Sequence, residues 1–295
     1  YLTAQLRDYH AQGYAYEQMA ILFRTNLGIR FVMDALMKGG IPFHMKDAIP
    51  NLFAHWISLD IIAYLRLVSG TGNTRANWLR IMNRPNRYIK REALAPFTSD
   101  ISVAQLKAYY QDKDWMLERL DRLEYDLSIM KRMSPYAAIH YLSNAMKYQD
   151  YLKDYAKEHH INEQELLDVL NAVHESSQSC RTFAEWFTYI DTYTEELQKQ
   201  AKSPASKDAN NESGVCLCTL HCAKGLEYPI VFIPDINEDN IPHARAAVDA
   251  DLEEERRLFY VGITRAKEHL HLYCVGEASG KEKFPSRFLE ELNEM

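Results

Sequence analysis

Hydrophobic positions along the chain follow two rhythms, and the alternation between them sketches a fold. Near the amino end Ala20-Ile21-Leu22-Phe23 is a compact apolar run closed by Arg24-Thr25-Asn26, the pattern of a strand stopping at a polar turn. Residues 1–19 before it read as an amphipathic helix ending near Gly13 and a short lead-in. Residues 28–38 carry helical spacing (Ile29, Val32, Met33, Leu36, Met37) stopped by Gly39-Gly40, and Ile41-Pro42-Phe43-His44 is a second short strand candidate. Strand, helix, strand is the start of a parallel α/β layer. Residues 55–69 return to helical period until Gly70 to Asn73 break it.

From about Glu92 to Ser203 the rhythm becomes helical throughout, as in Leu117, Leu120, Leu123, Leu127 and Met130, and no glycine occurs between Gly72 and Gly214. This block ends in a polar stretch, Lys202 to Asn211, that reads as a mobile linker. Strand-like Val215–Thr219 and Ile230–Ile233, a helical 252–260 and strand-like Leu270–Val275 then resume the α/β signal. The expected architecture is an α/β parallel-sheet domain of residues 1–92 and 206–295, interrupted by an all-helical insertion at 93–205. Hinges are expected near Arg91–Ala95 and Lys202–Ser213.

Composition narrows the class. The 295 residues are 47% hydrophobic and 25% charged, as in an ordinary soluble globular protein, which excludes disordered and fibrous chains. A net charge of −7 excludes a globally basic nucleic-acid binder but not a local basic face. Such a face is suggested between Ile61 and Arg91, where seven basic residues occur with no acidic one. Five cysteines, an odd count without secreted-scaffold spacing, suggest reduced thiols and a cytoplasmic location. No apolar run approaches the roughly 18 residues of a membrane helix, so no membrane partner is expected. The start at Tyr1, with no initiator Met and no signal pattern, suggests a piece of something longer.

Two segments carry candidate chemistry. Thr219-Leu220-His221-Cys222-Ala223-Lys224-Gly225-Leu226-Glu227-Tyr228 follows a strand and holds a hydroxyl, an imidazole, a Lys and a carboxylate. It reads either as a plain polar loop or as a ligand loop at the carboxyl end of a parallel strand. Glu253 to Ala266 begins as an acidic–basic helix face and ends in Gly262-Ile263-Thr264-Arg265, which projects an arginine suited to gripping phosphate. Cys216, Cys218 and Cys222 with His221 invite a zinc reading, but the spacing is not Cys-x2-Cys and no metal is expected.

In this order the segments resemble the second half of the UvrD/Rep/PcrA class of superfamily 1 DNA helicases. Ala20 to Asn26 looks like that family's motif IV, Asn83-Arg84-Pro85-Asn86-Arg87 like its Asn-x-Pro-x-Arg segment, and Thr219 to Glu227 like motif V. Glu254 to Ala266 looks like motif VI, and Phe284-Pro285-Ser286-Arg287-Phe288-Leu289 like the tail that closes the domain. The matches cover 16–92 and 214–292. The insertion resembles a 2B subdomain, set into a RecA-like 2A domain, by position alone.

The resemblance implies an ATP-dependent, 3′-to-5′ DNA helicase. Arg24 and Arg265 would reach the γ-phosphate as arginine fingers, consistent with the charge that phosphoryl transfer develops there. Glu227 would bind the ribose, and Gly225 would allow close backbone approach. Thr219, His221 and Lys224 would lie along single-stranded DNA, with Asn83, Arg84 and Arg87 on a second DNA face. Arg257 would support the finger helix. Alternatives stay open: Arg24 as a strand-end charge, His221 as a satisfied loop histidine, Arg257 as a surface pair. Where the family usually has a Gly-Ile-Gly turn this chain has Tyr88-Ile89-Lys90, so a backbone-amide phosphate site is not expected and Lys90 is the candidate substitute.

No Gly-x-x-x-x-Gly-Lys-Ser/Thr occurs. ATP with Mg2+ would therefore be bound mainly by an amino-terminal motor domain, which becomes an expected partner alongside single-stranded and duplex-junction DNA. The chain alone is expected to be inactive. Competing readings are the motor of a helicase–nuclease subunit and a non-enzymatic DNA-binding scaffold.

Overall fold

A computed structural model describes residues 1–46, 50–72, 74–202, 213–243, 246, 249–278 and 281–293. In chain order the elements begin with α1 (Leu2–Ala11), β1 (Met19–Phe23), α2 (Asn26–Gly39) and β2 (Phe43–Met45). The helices α3 (Trp56–Ser69), α4 (Thr74–Ile81), α5 (Val103–Tyr109), α6 (Asp114–Met130) and α7 (Pro135–Asn144) follow. Then come α8 (Tyr148–His159), α9 (Glu163–Ser176) and α10 (Phe183–Lys202). The chain closes with β3 (Val215–Thr219), β4 (Tyr228–Ile233), α11 (Asp249–Ile263), β5 (Ala266–Leu272) and α12 (Arg287–Asn293). The linker stretch at 203–212, and with it most of the expected hinge at 202–213, lies outside the described residues.

The chain divides into two compact units, Tyr1–Pro50 with Glu196–Met295, and Asn51–Glu195. This shifts the expected boundary: residues 51–92, read as part of the α/β domain, cluster with the helices. The physical reason is α3. Nine of its residues, from Ile57 to Val68, are buried, and α4, α6, α7 and α9 all pack against it. It is the central helix of the second unit, and a helix apolar on most sides gives no sign in its sequence of which unit encloses it. Arg91–Leu94, at the expected first hinge, is a short 3-10 turn inside that unit with Ala93 and Leu94 buried.

The first unit is built on an all-parallel sheet, five-stranded among the described residues, in the order β2-β3-β1-β4-β5. All five residues of β1 are buried, as a central strand covered on both faces requires. Ala20, Leu22, Cys216, Cys218, Val231 and Ile233 share one core cluster with Leu258, Phe259 and Phe288 from α11 and α12. Residues of the other parity, such as Ile21, Leu217 and Phe232, are equally buried. On that side Tyr9 of α1 meets the Phe232 ring edge-on and bonds His271 at 2.7 Å. No helix among the described residues is long and apolar enough to cross a membrane.

Candidate functional site

The loop after β3 sits at the carboxyl ends of the parallel strands, and its apolar residues determine which polar ones face outward. Leu220 N donates to Phe23 O (2.8 Å), Ala223 N donates to Thr219 O (3.0 Å), and both Leu220 and Ala223 are fully buried. With those two positions pinned, His221, Cys222, Lys224, Gly225 and Glu227 are exposed, while Thr219 ends the strand half-buried. Gly225 has φ +84° and open space where a Cβ would stand, so the backbone turn itself calls for glycine there.

Helix α11 presses on the same loop. A Cβ on Gly262 would lie 3.2 Å from Ile233 Cδ1 and closer still to the Leu220 side chain, so only glycine lets the helix end come this near. Arg265, two residues beyond the helix, is held by three acceptors. Nε donates to Val261 O (2.8 Å), Nη1 to Leu226 O (3.0 Å) and Nη2 to the Thr264 hydroxyl (2.9 Å). Its carbonyl accepts from Tyr228 N at 2.9 Å. Arg265, Gly225 and Glu227 are thus drawn to one place. The Glu227 carboxylate meets Lys267 at 3.0 Å, both half-exposed.

Arg24 is engaged elsewhere. Its Nε lies 2.9 and 3.1 Å from the two Glu255 oxygens, and Nη2 is 2.5 Å from Oε1. Glu255 also accepts from His243 N at 3.0 Å. Burial works to raise the Glu255 carboxyl, yet the Arg24 guanidinium and the His243 amide hold it below the usual carboxylate range. Glu255 and Val261, the contacts of the two arginines on α11, are six residues or about 9 Å of helix rise apart. Arg24 also borders a cavity of about 310 Å³ with Phe31, Asp235 and Lys283. Burial pushes the Asp235 carboxyl up, with Lys283 opposing.

Arg257 makes only a 3.6 Å pair with Glu254, both about three-quarters exposed. Its neighbour Arg256 ties the helix to α12: it grips Glu291 at 2.8 and 2.9 Å, lies over the Phe288 ring and bonds Glu253. Cys216 and Cys218 are buried and Cys222 is exposed. Among the described residues no group of three or more His, Cys, Asp or Glu side chains is arranged to hold a metal ion.

The Asn83–Lys90 loop belongs to the other unit and behaves differently. Asn83 Oδ1 accepts from Arg87 N (3.3 Å) and Ile89 N (2.9 Å), while Nδ2 donates to Ile89 O (2.9 Å), so its amide closes the loop on itself. Arg84 Nη1 lies 2.9 Å from Asp60 Oδ1, and Arg80 Nε lies 2.8 Å from the same oxygen. The fully buried Asp60 also accepts from Tyr148 OH (2.9 Å). Arg87 Nη1 donates to Ile81 O (3.1 Å) and Pro85 O (3.2 Å). Tyr88 adopts φ +59°, which explains why a glycine suits this turn. Lys90 and Arg91 are exposed. Asp60 stands one residue outside the acid-free window at 61–91, and Glu255 was hidden in an acidic run. Neither drew attention in the sequence, although a lone acid beside a basic cluster is a readable signal of internal pairing.

The all-parallel sheet with its covering helices is that of an α/β RecA-like domain, and the chain belongs to the UvrD-like helicase C-terminal domain family, which matches residues 1–276. Among curated relatives it is 28% identical to YjcD of Bacillus subtilis over 99% of this chain and 38% of the relative. It is 28% identical to the ATP-dependent DNA helicase PcrA of Staphylococcus epidermidis (100% and 42%). It is 29% identical to PcrA of Bacillus subtilis (92% and 38%). The chain spans about two fifths of the length of these relatives.

Proposed function

We propose that this chain is the second motor half of an ATP-dependent 3′-to-5′ DNA helicase. One observation carries the reading: Arg265 is held against the Leu226 carbonyl, beside Glu227 and the exposed His221 and Lys224, at the carboxyl ends of a parallel sheet. The substrate ATP would be met by Arg265 at its γ-phosphate and by Glu227 and the Gly225 backbone at its ribose. The first motor domain would supply the phosphate loop and most of the binding of Mg2+. Arg265 has two N–H groups beyond its three bonds, enough to grip a phosphoryl oxygen without leaving its seat.

Arg24, bound on both Glu255 oxygens, would act on this site by fixing α11, and would reach phosphate only by exchanging that partner. Arg256 rather than Arg257 would brace the helix. Thr219, His221 and Lys224 would follow single-stranded DNA by phosphate contacts that carry no sequence choice. In the helical unit Asn83 and Arg84 would shape the DNA-facing surface, leaving the free donors of Arg87 and the exposed Lys90 to touch it.

Removing an arginine finger costs about 10³–10⁵ in rate in other phosphoryl-transfer enzymes. Arg265→Ala in the full-length polypeptide is therefore expected to remove most DNA-stimulated ATP hydrolysis and to leave single-strand binding nearly intact. Arg265→Lys is expected to restore little, since an ammonium lacks the planar fork. Steady-state hydrolysis and DNA titration on the same preparations measure both. Turnover within about threefold of the parent would reject the finger role.

A further inference from the structure

Thr264, the residue before Arg265, is joined to it by a closed cycle of hydrogen bonds. The Thr264 hydroxyl accepts from Arg265 Nη2 (2.9 Å) and donates to Val261 O (2.9 Å). Val261 O also accepts from Arg265 Nε (2.8 Å). A hydroxyl has one hydrogen, and here it goes to the carbonyl, so only lone pairs are left to face the guanidinium. Threonine suits the position, because its β-branch narrows the choice of χ1. Ser128 and Ser177 bond back to a carbonyl three residues earlier in the same way, but among the described residues no side-chain donor meets their hydroxyls.

The cycle determines which hydrogens Arg265 has left. Val261 O and Thr264 Oγ1 take the side of the fork that bears Nε and Nη2, and Leu226 O takes one hydrogen of Nη1 (3.0 Å). One N–H then remains on each terminal nitrogen, a pair suited to phosphoryl oxygen. Val261 O and Leu226 O belong to the backbone, so no side-chain substitution removes them. Thr264 Oγ1 is the one holder that a side chain supplies. Thr264 is exposed, and its hydroxyl has no other partner among the described residues, so the cycle is not a by-product of core packing.

We propose that Thr264 is a positioning residue for Arg265: its hydroxyl fixes the plane of the fork, and with it the direction of the two remaining N–H groups. The proposal rests on the motor reading above and adds a residue that acts only through the arginine. Held at the two carbonyls alone, the arginine keeps its charge and its reach but can turn its fork. Binding of ATP draws on many contacts, whereas charge developing in the transition state must be met in one direction. Loss of the hydroxyl is therefore expected in kcat rather than in KM.

The test is DNA-stimulated ATP hydrolysis by the full-length polypeptide. Thr264→Val removes the hydroxyl and keeps the branch. It is expected to lower kcat about 10-fold and to leave KM within about twofold, since a small misplacement of a catalytic group can cost about 100-fold. Thr264→Ser restores the hydroxyl and is expected to return kcat to within about threefold of the parent. In an Arg265→Ala background Thr264→Val is expected to change nothing further, because the donor is already gone. Both single variants are expected to melt with the parent, as substitutions at an exposed position do.

A Thr264→Val kcat within about twofold of the parent would overturn the proposal. So would a Thr264→Ser variant no faster than Thr264→Val, or a further loss when Thr264→Val is added to Arg265→Ala. Arg265→Ala by itself separates the two readings. If it turns over like the parent, the motor site is rejected and this proposal with it. If it is inactive beside a fully active Thr264→Val, only the role of Thr264 falls.

Discussion

The loops at 219–227 and 83–90 carry the same kinds of side chain and use them in opposite ways. In the first, buried Leu220 and Ala223 do the anchoring, which leaves His221, Lys224 and Glu227 pointing to solvent. In the second, the polar residues are themselves the anchors: Asn83 ties the loop shut, and Arg84 answers Asp60. A polar motif presents chemistry where apolar neighbours hold the backbone. It turns inward where a buried acid or an unpaired amide lies nearer than water, because a buried polar group without a partner is costly.

Four substitutions sharpen this contrast, the first of them the most damaging. Asp60→Ala leaves Arg80 and Arg84 facing an empty acid site. It is expected to destabilise the helical unit by about 3 kcal/mol, the low end for a broken buried pair because both arginines reach solvent. The helical circular-dichroism transition should fall by several degrees. Next, Asn83→Ala removes three loop bonds and is expected to cost about 2 kcal/mol. If it weakens DNA binding with no change in melting, Asn83 is a contact and the contrast collapses.

Glu255→Gln tests the sheet unit and has a pH signature. The folded pKa of Glu255 lies below its ordinary 4.5, so its stabilisation is fully present above that pH and is lost as pH falls through the lowered folded value. The variant is expected to be about 1–2 kcal/mol less stable at neutral pH and to lose less than the parent below pH 4.5. Parallel denaturant titrations at pH 7 and pH 3.5 give both numbers. The smallest effect on stability belongs to Lys224→Ala, within about 0.5 kcal/mol, as expected of an exposed side chain. Its single-strand salt slope should nevertheless drop by about one.

Much of this was legible beforehand. The strands at 19–23 and 215–219 show as short apolar runs, and the glycine-free middle is helical as its period predicts. The placement of 51–92 was not legible, because α3 is apolar on most of its surface and could have packed against a sheet or against helices. The site was legible to the level of the loop. Arg265 donates to the carbonyl of Leu226, next to Glu227, but the partner of Arg24 was obscured by three consecutive glutamates at 253–255, of which only geometry selects Glu255. Likewise Arg256 and Arg257 differ by one position and about 100° around the helix, enough to send one to Glu291 and the other to solvent.

The strand order has a consequence for how the protein is made. β3 lies between β2 and β1, yet it leaves the ribosome after about 170 further residues, 46–214. At roughly 5–20 residues per second that is some 10–30 s during which β1 and β2 exist without the strand that joins them. The whole of 51–195 emerges in that interval and is continuous in sequence, so it can fold while the sheet waits. Nascent Met19–Phe23, five apolar residues with open edges, is then the segment most exposed to mispairing or chaperone capture. Arrested chains ending before Val215 should show protected helices and an unprotected β1 in hydrogen exchange.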